Sequence, residues 1–370
     1  MKILHIIPNL KKGGAERLVL DICQHLVQKK DVIVKLIIFS EENEYSFLMK
    51  GIDVEVIPTK VIPSFIRKPT VEVKQLQNYI DTFQPDIIHS HLFETEMVLA
   101  HISLPIKTKR IVHFHDNIRQ LRNFQLVTPF KKGLLTDYYE KSIFIKSLSK
   151  TSKLICISKD TFEFVNTVMP NYFSKTRLHN AIDLLRFHSI DKKMKTNEIT
   201  IIGSLVEKKG QKLAIECISE LITRGIKVHL NVLGDGPNRI DLLSQINQLG
   251  IERFVTLHGK VKYSEEYLQK SDLYLHTANY EPFGLVLIEA MACGLPVVCT
   301  DGKGNRELIQ EGENGFMVGE RDPKLLADKI ELLLKNDNLR QEMGEKARKF
   351  AQGFGMEKYV ESLLLLYKNT

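Results

Sequence analysis

Tyr280 to Val298 read YEPFGLVLIEAMACGLPVV, and no other stretch of the chain sorts it so sharply. The first residues have loop chemistry, with Pro282 and Gly284 ahead of a second turn signal at Gly294. The apolar run between them predicts a helix from about Gly284 to Cys293, closed by Gly294 in a left-handed cap with Pro296 just beyond. The amides of Gly284, Leu285 and Val286 would then face outward at the positive end of that helix, ready for a phosphate or another anion. Helical side chains lean toward the N-terminus, so Glu289 reaches back toward the same space while Glu281 approaches from the loop. Amides for an anion, flanked by two carboxylates for hydroxyls, suit a sugar nucleotide. A hydrolytic acid and base would need carboxyl groups about 5–5.5 Å or about 6.5–9.5 Å apart. Eight residues of ideal helix span roughly 12 Å, which disfavours hydrolysis, although Glu281 stands before the helix and has room to fold closer.

Outward from that segment, short β-rich runs alternate with helical patterns in both halves, the signature of βαβ units and parallel sheets covered on both faces. Strands are expected near 2–7, 32–39, 86–89, 110–114 and 153–157, then near 199–203, 228–233, 255–257, 273–276, 296–299 and 316–318. At 370 residues two domains are the default. The polar, Lys-rich stretch AIDLLRFHSIDKKMKTNE suits a linker, which gives domains at 1–185 and 186–354.

Composition narrows the function classes. Hydrophobic residues make up 43% and charged residues 26%, as in an ordinary globular protein and unlike a disordered one. The opening MKILHIIPN is too short and too early broken by Pro8 for a signal peptide, and no run approaches the roughly 20 apolar residues of a spanning helix. A cytoplasmic protein is expected. The five cysteines show no CxxC spacing and read as reduced, buried thiols.

The net charge of +7 is unevenly placed. Residues 1–185 hold 26 basic and 19 acidic residues, whereas residues 186–370 hold 26 of each; within 105–160 the balance is 12 to 4. Such a basic patch fits an anionic membrane face or lipid phosphate, and equally a solvated helix face. PFKKGLLTDYYEKSIFIKSLSK, residues 129–150, mixes Lys with Phe, Leu, Ile and Tyr as an interfacial helix does. His89 with His91, and His113 with His115, alternate along strand faces. With no third ligand cluster evident in the sequence, no metal site is expected.

The spacing of Glu281 and Glu289 around PFG closely resembles the E-x7-E signature of retaining glycosyltransferases of family 4. GGAE at Gly13–Glu16, DIIHSH at 86–91, VHFHD at 112–116, ICISK at 155–159, HNAID at 179–183, IGSLVEKKG at 202–210 and VLGDGP at 232–237 follow in that family's order. The resemblance spans nearly the whole chain. It implies an α/β GT-B fold, two Rossmann-like doubly wound domains facing each other across a cleft, with the helix at 355–370 packing back on the first. It further implies an acceptor-binding N-terminal domain and a nucleotide-sugar-binding C-terminal one. The activity implied is retaining transfer of a hexosyl or N-acetylhexosaminyl group from a nucleotide diphosphate sugar, UDP favoured, to a glycan or lipid-linked glycan.

By the same resemblance Glu281 binds hydroxyls of the donor sugar and Glu289 the ribose. Gly284 and Leu285, beside Phe283, offer amides to the diphosphate or sugar. Lys209 neutralises the leaving diphosphate, Gly13 and Gly14 face phosphate and acceptor, and His115 serves the donor sugar. The family's string ahead of KG is glycine, arginine, leucine; here Ser204 stands in the arginine's place, supplying one hydroxyl instead of a bidentate cation. No cofactor, metal or nucleic acid is implied. An epimerase or dinucleotide oxidoreductase would also use doubly wound sheets, but GxGxxG is absent after the first strand. A non-catalytic binder of anionic polymer would leave the 281–289 segment idle.

Overall fold

The protein is a computed structural model that describes residues 1–11, 13–62, 70–116, 143, 145–148, 152–190 and 195–369. The expected interfacial helix at 129–150 lies mostly outside these residues. Contacts divide the chain into two units: Met1–Asn180 with Met356–Thr370, and Ala181–Gly355.

The first unit is built on seven parallel strands: β1 Lys2–Ile7, β2 Ile33–Ile38, β3 Asp53–Val56, β4 Ile87–His91, β5 Lys109–Phe114, β6 Lys153–Cys156 and β7 Ser174–Arg177, in spatial order β3-β2-β1-β4-β5-β6-β7. Helices α1 Gly14–Val27, α2 Lys74–Phe83, α3 Phe93–Leu99 and α4 Lys159–Val168 connect them. Alternation of side chains along each strand sends Leu4, Ile6, Ile37 and Ile88 into one layer with Leu76 and Ile80 of α2 and Val98 and Leu99 of α3. The order reverses between β1 and β4, the topological switch point at which doubly wound sheets open a crevice at the carboxyl ends of the strands.

The second unit repeats the plan with six strands: β8 Glu198–Ile202, β9 His229–Leu233, β10 Val255–Gly259, β11 Leu273–His276, β12 Val297–Thr300 and β13 Gly315–Val318, ordered β10-β9-β8-β11-β12-β13. Its switch point lies between β8 and β11. Helices α5 Gln211–Thr223, α6 Arg239–Leu249, α7 Glu265–Lys270, α8 Leu285–Ala292, α9 Pro323–Lys335 and α10 Asp337–Ala351 belong to this unit. The core joins Ile199, Ile201, Leu230, Val232, Leu273 and Leu275 of the sheet to Leu213, Ile218 and Leu221 of α5 and Leu326 and Ile330 of α9. A last helix, α11 Met356–Lys368, is part of the first unit, packed on α1. The five cysteines are free and buried. Among the described residues, no helix is long and apolar enough to cross a membrane.

The predicted helix after Gly284 is α8, and its end is a Schellman cap: the Leu295 amide donates to the Ala290 carbonyl at 3.1 Å and the Gly294 amide to that of Met291 at 2.9 Å, with Gly294 at φ +82°. Helix α10 is drawn against this cap. A Cβ built on its Gly344 would lie 2.3 Å from the Gly294 carbonyl oxygen, so the two backbones meet only because residue 344 has no side chain. Gly344→Ala should therefore destabilise the protein by about 1–3 kcal/mol through overpacking, although alanine is the better helix former by about 1 kcal/mol. Urea denaturation with an unchanged slope and a lower midpoint is the expected result.

Candidate functional site

The loops that leave β8 and β11 border the switch point of the second unit, and the sequence fixes how each turns. After β8 the chain makes a 3-10 turn, Glu207–Lys209, and enters α5 through Gly210 at φ +67°. A Cβ there would stand 2.0 Å from the Thr277 carbonyl oxygen; only glycine lets the two loops touch, and Thr277 Oγ1 donates to the Gly210 carbonyl at 2.8 Å. The Asn279 amide donates to the Lys208 carbonyl at 2.8 Å. With the loops joined in this way, Lys209 and Glu281 meet.

Lys209 Nζ donates to Glu281 Oε2 at 2.6 Å, with side chains 21% and 10% exposed. His276, last residue of β11, brings Nε2 to 3.3 Å from the same oxygen, though off line for a hydrogen bond. Burial alone would raise the Glu281 carboxyl; the Lys209 ammonium, with His276 beside it, outweighs burial and holds it down at about 2. Glu281 is thus a carboxylate at any ordinary pH. Both contacts fall on Oε2, and among the described residues Oε1 has no partner. The backbone of Glu281 is anchored in turn, its amide donating to the Gly302 carbonyl at 2.8 Å.

Glu289 is buried on α8. Its charge and that of Glu281 both add to burial in raising the Tyr274 phenol. Gly284 is the N-cap of α8 at φ +105°, and the amides that follow, Leu285 first, lack the i−4 acceptor of a helix interior. Phe283 is 1% exposed and packs against Phe354 with ring centroids 6.1 Å apart, which leaves a ligand only its backbone. Ser204 is exposed, and its carbonyl accepts from Gln211 Nε2 at 3.0 Å. Two residues escaped the sequence reading. His276 is marked in sequence only as a histidine ending an apolar strand, and Arg321, whose Nη1 donates to the Thr277 carbonyl at 2.9 Å, is distant in sequence from the loop it braces. A cavity of about 260 Å³ lined by Gln211, Asn238, Asn279 and Arg321 opens beside Gly210; it includes neither glutamate, and the ion pair is the better marker of the chemistry.

In the first unit Gly13 is the N-cap of α1 and Gly14 its first residue. Tyr45 Oη donates to the Gly13 carbonyl at 2.9 Å. Glu16 in the first turn is pushed up to about 7 by burial. His115, just beyond β5, lies with Nε2 3.0 Å from His91 Nδ1, and burial lowers its basicity well below the ordinary histidine value. The expectation that histidines lack a third ligand partner is overturned: His5, His89 and His91 converge, as do His91, His113 and His115, with ring nitrogens within 4.8 Å in each group. Parallel register, invisible in the linear sequence, sets His5 beside His89 and His91 beside His113.

Comparison with known proteins joins these observations. Residues 12–185 match the family model described as Glycosyltransferase Family 4, and residues 186–350 that described as Glycosyl transferases group 1. N-acetyl-alpha-D-glucosaminyl L-malate synthase of Bacillus anthracis is 27% identical over 302 residues, 80% of this chain and 76% of its own length. A Campylobacter jejuni enzyme, N-acetylgalactosamine-N,N'-diacetylbacillosaminyl-diphospho-undecaprenol 4-alpha-N-acetylgalactosaminyltransferase, is 32% identical over 191 residues, 50% of this chain and 52% of its own. Among solved structures, Anabaena Alr3699/HepE in complex with UDP and glucose aligns over 100% of both chains with a TM-score of 0.81 at 21% identity. A point mutant of S. aureus TarM, in complex with Fondaparinux, alpha-GlcNAc-glycerol and UDP, aligns over 99% of both with a TM-score of 0.77 at 15% identity. The fold is GT-B.

The ion pair predicts a pH signature. A carboxyl held below its unfolded value stabilises the fold above that value and ceases to do so as pH falls through the folded one. Lys209→Met should therefore cost about 1–3 kcal/mol near pH 7, by leaving a buried carboxylate without its cation. The deficit should shrink as pH drops from about 4.5 through 2, since Glu281 of the parent is half protonated at about pH 2 and neutral only below it. Thermal unfolding of parent and variant across that range is the measurement.

Proposed function

The chain belongs to glycosyltransferase family 4, and on that footing we propose that it is a retaining enzyme which moves a hexosyl or N-acetylhexosaminyl group from a UDP-sugar to a hydroxyl of a glycan, one carried on a lipid. The Lys209–Glu281 pair at the switch point is the observation that supports this reading most. Lys209 places a cation where a leaving diphosphate gains charge, and such preorganised charge is worth most in a water-poor site. Glu281, kept ionised, has Oε1 available to accept from sugar hydroxyls. Glu289 accepts from the ribose, and the amides of Gly284 and Leu285 donate to phosphate oxygens.

In this reading the acceptor oxygen attacks the anomeric carbon from the face the diphosphate leaves. The carbon–phosphate-oxygen bond breaks as the new glycosidic bond forms, and the acceptor proton passes to the departing phosphate oxygen. No protein nucleophile takes part. Residues 1–185 bind the acceptor and 186–354 the donor, with Gly13 and Gly14 serving phosphate and acceptor and neutral His115 the sugar. Ser204 leaves the diphosphate one guanidinium short; Lys209 carries its neutralisation. The enzyme works in the cytoplasm on the inner membrane face, held by the basic excess of residues 105–160, each Lys or Arg near an anionic surface contributing about 1 kcal/mol.

Glu281→Gln should abolish transfer while UDP binding persists, and Glu289→Ala should weaken UDP by about 1.5–3 kcal/mol, a lost charged hydrogen bond. Calorimetric UDP titration together with mass-spectrometric assay of transfer reads both. Transfer by Glu281→Gln within about threefold of parent, well under 1 kcal/mol of barrier, overturns the sugar assignment. Separately, cosedimentation with anionic vesicles at low salt, lost at high salt and with neutral vesicles, is expected of the membrane contact.

A further inference from the structure

Five imidazoles lie on one face of the first sheet, across its three central strands: His5 on β1, His89 and His91 on β4, His113 on β5 and His115 just after it. They form a continuous stack, with centroids 4.3 Å apart for His89 and His91, 4.2 Å for His113 and His115, and 5.2 Å for His91 and His115. All are buried but His115, which is half-buried. Their hydrogen bonds satisfy only part of the set. His5 Nδ1 pairs with His91 Nε2 at 3.0 Å, His91 Nδ1 with His115 Nε2 at 3.0 Å, and His89 Nδ1 with Tyr367 Oη at 2.6 Å. Among the described residues, both nitrogens of His113 are buried without any partner, as is Nδ1 of His115.

An orphaned polar atom in a folded interior is costly and calls for a bound water or ion to explain it. His113, 2% exposed, has two such atoms in the middle of other ring nitrogens. We propose that His91, His113 and His115 are a binding site for one divalent transition metal, zinc foremost, with His91 Nδ1, His115 Nε2 and one nitrogen of His113 as ligands. Metal–nitrogen bonds of about 2.0–2.1 Å in a tetrahedron hold nitrogens roughly 3.3 Å apart. The His91–His115 pair is already near that spacing, and the third nitrogen, within 4.8 Å, reaches it by a small rotation of the His113 ring. An all-imidazole set favours zinc, cobalt, nickel or copper over magnesium or calcium, which take oxygen ligands.

The protons balance without any ring becoming charged. His91 carries its proton on Nε2 and gives it to His5 Nδ1 as a hydrogen bond, His115 carries its own on Nδ1, and both ligating nitrogens are bare. His5 thereby becomes the outer partner that a ligating histidine ordinarily has, fixing the tautomer and angle of His91. Three histidines leave a fourth position for water; with Nε2 on the ion and Nδ1 buried, His115 holds either the metal or the sugar, so the two roles are alternatives at one ring.

Metal binding by untagged protein, stripped with a chelator and dialysed, tests the site without reference to transfer activity, so it stands or falls apart from the donor reading. One equivalent of Zn²⁺ per chain should bind and raise the thermal midpoint. Co²⁺ should give the visible absorption of a four-coordinate site, displaced by Zn²⁺. His113→Phe keeps a ring in the stack and should bind none; His115→Ala, at a half-buried position outside the strand, should also bind none and tests the site even if the buried variant fails to fold. His25→Ala on α1 should bind one equivalent, as the parent does. A parent without stoichiometric metal, or full binding by His115→Ala, overturns the proposal.

Discussion

A single ion pair organises the second unit's site, and it is tolerable only because of where it lies. Lys209 and Glu281 come from loops after β8 and β11, neighbouring strands whose connections run in opposite directions around the sheet, so nothing between the loops fills the space at their ends. Both side chains are mostly withdrawn from water, where an unpaired charge would cost several kcal/mol. Each therefore needs the other, and the backbone contact at Gly210 and Thr277 keeps them in reach. Conformation, burial and charge at this corner are one constraint.

Much of this was legible in the sequence because it depends on local chemistry. The central strands are short β-rich apolar runs, and their period says both faces are covered; the end of α8 is announced by Gly294 with Pro296 behind it. The first unit's edge strands were not legible. β3 reads DVEV and β7 SKTR, polar sequences that pair on one side only and owe their conformation to the neighbour they join, with charges that discourage further pairing. The histidines show the same limit. His5 sits alone in KILHII and reads as one polar residue in a core strand; only the register of β1 against β4 makes it part of a group.

Ser204 raises a narrower point. Its side chain is exposed while its carbonyl is held by Gln211, so the loop's path is set by backbone contacts and by Gly210, not by the residue standing in the arginine's place. The loop geometry and the loop's charge are thus separable in this protein. A guanidinium does occur close by, in Arg321, bound to the Thr277 carbonyl, but it braces the loops from a different strand connection.

The return of α11 to the first unit carries a consequence for synthesis. Tyr367 closes over His89 across 278 residues of sequence, and α11 lies on α1. The second unit is continuous in sequence and holds all its own strands once residue 355 has left the ribosome. The first unit, although begun earlier, lacks a side of its core until the last residues emerge. Vectorial folding is therefore inverted: the half made second is the half able to finish first, and the nascent N-terminal unit waits for α11 to close over His89 and α1.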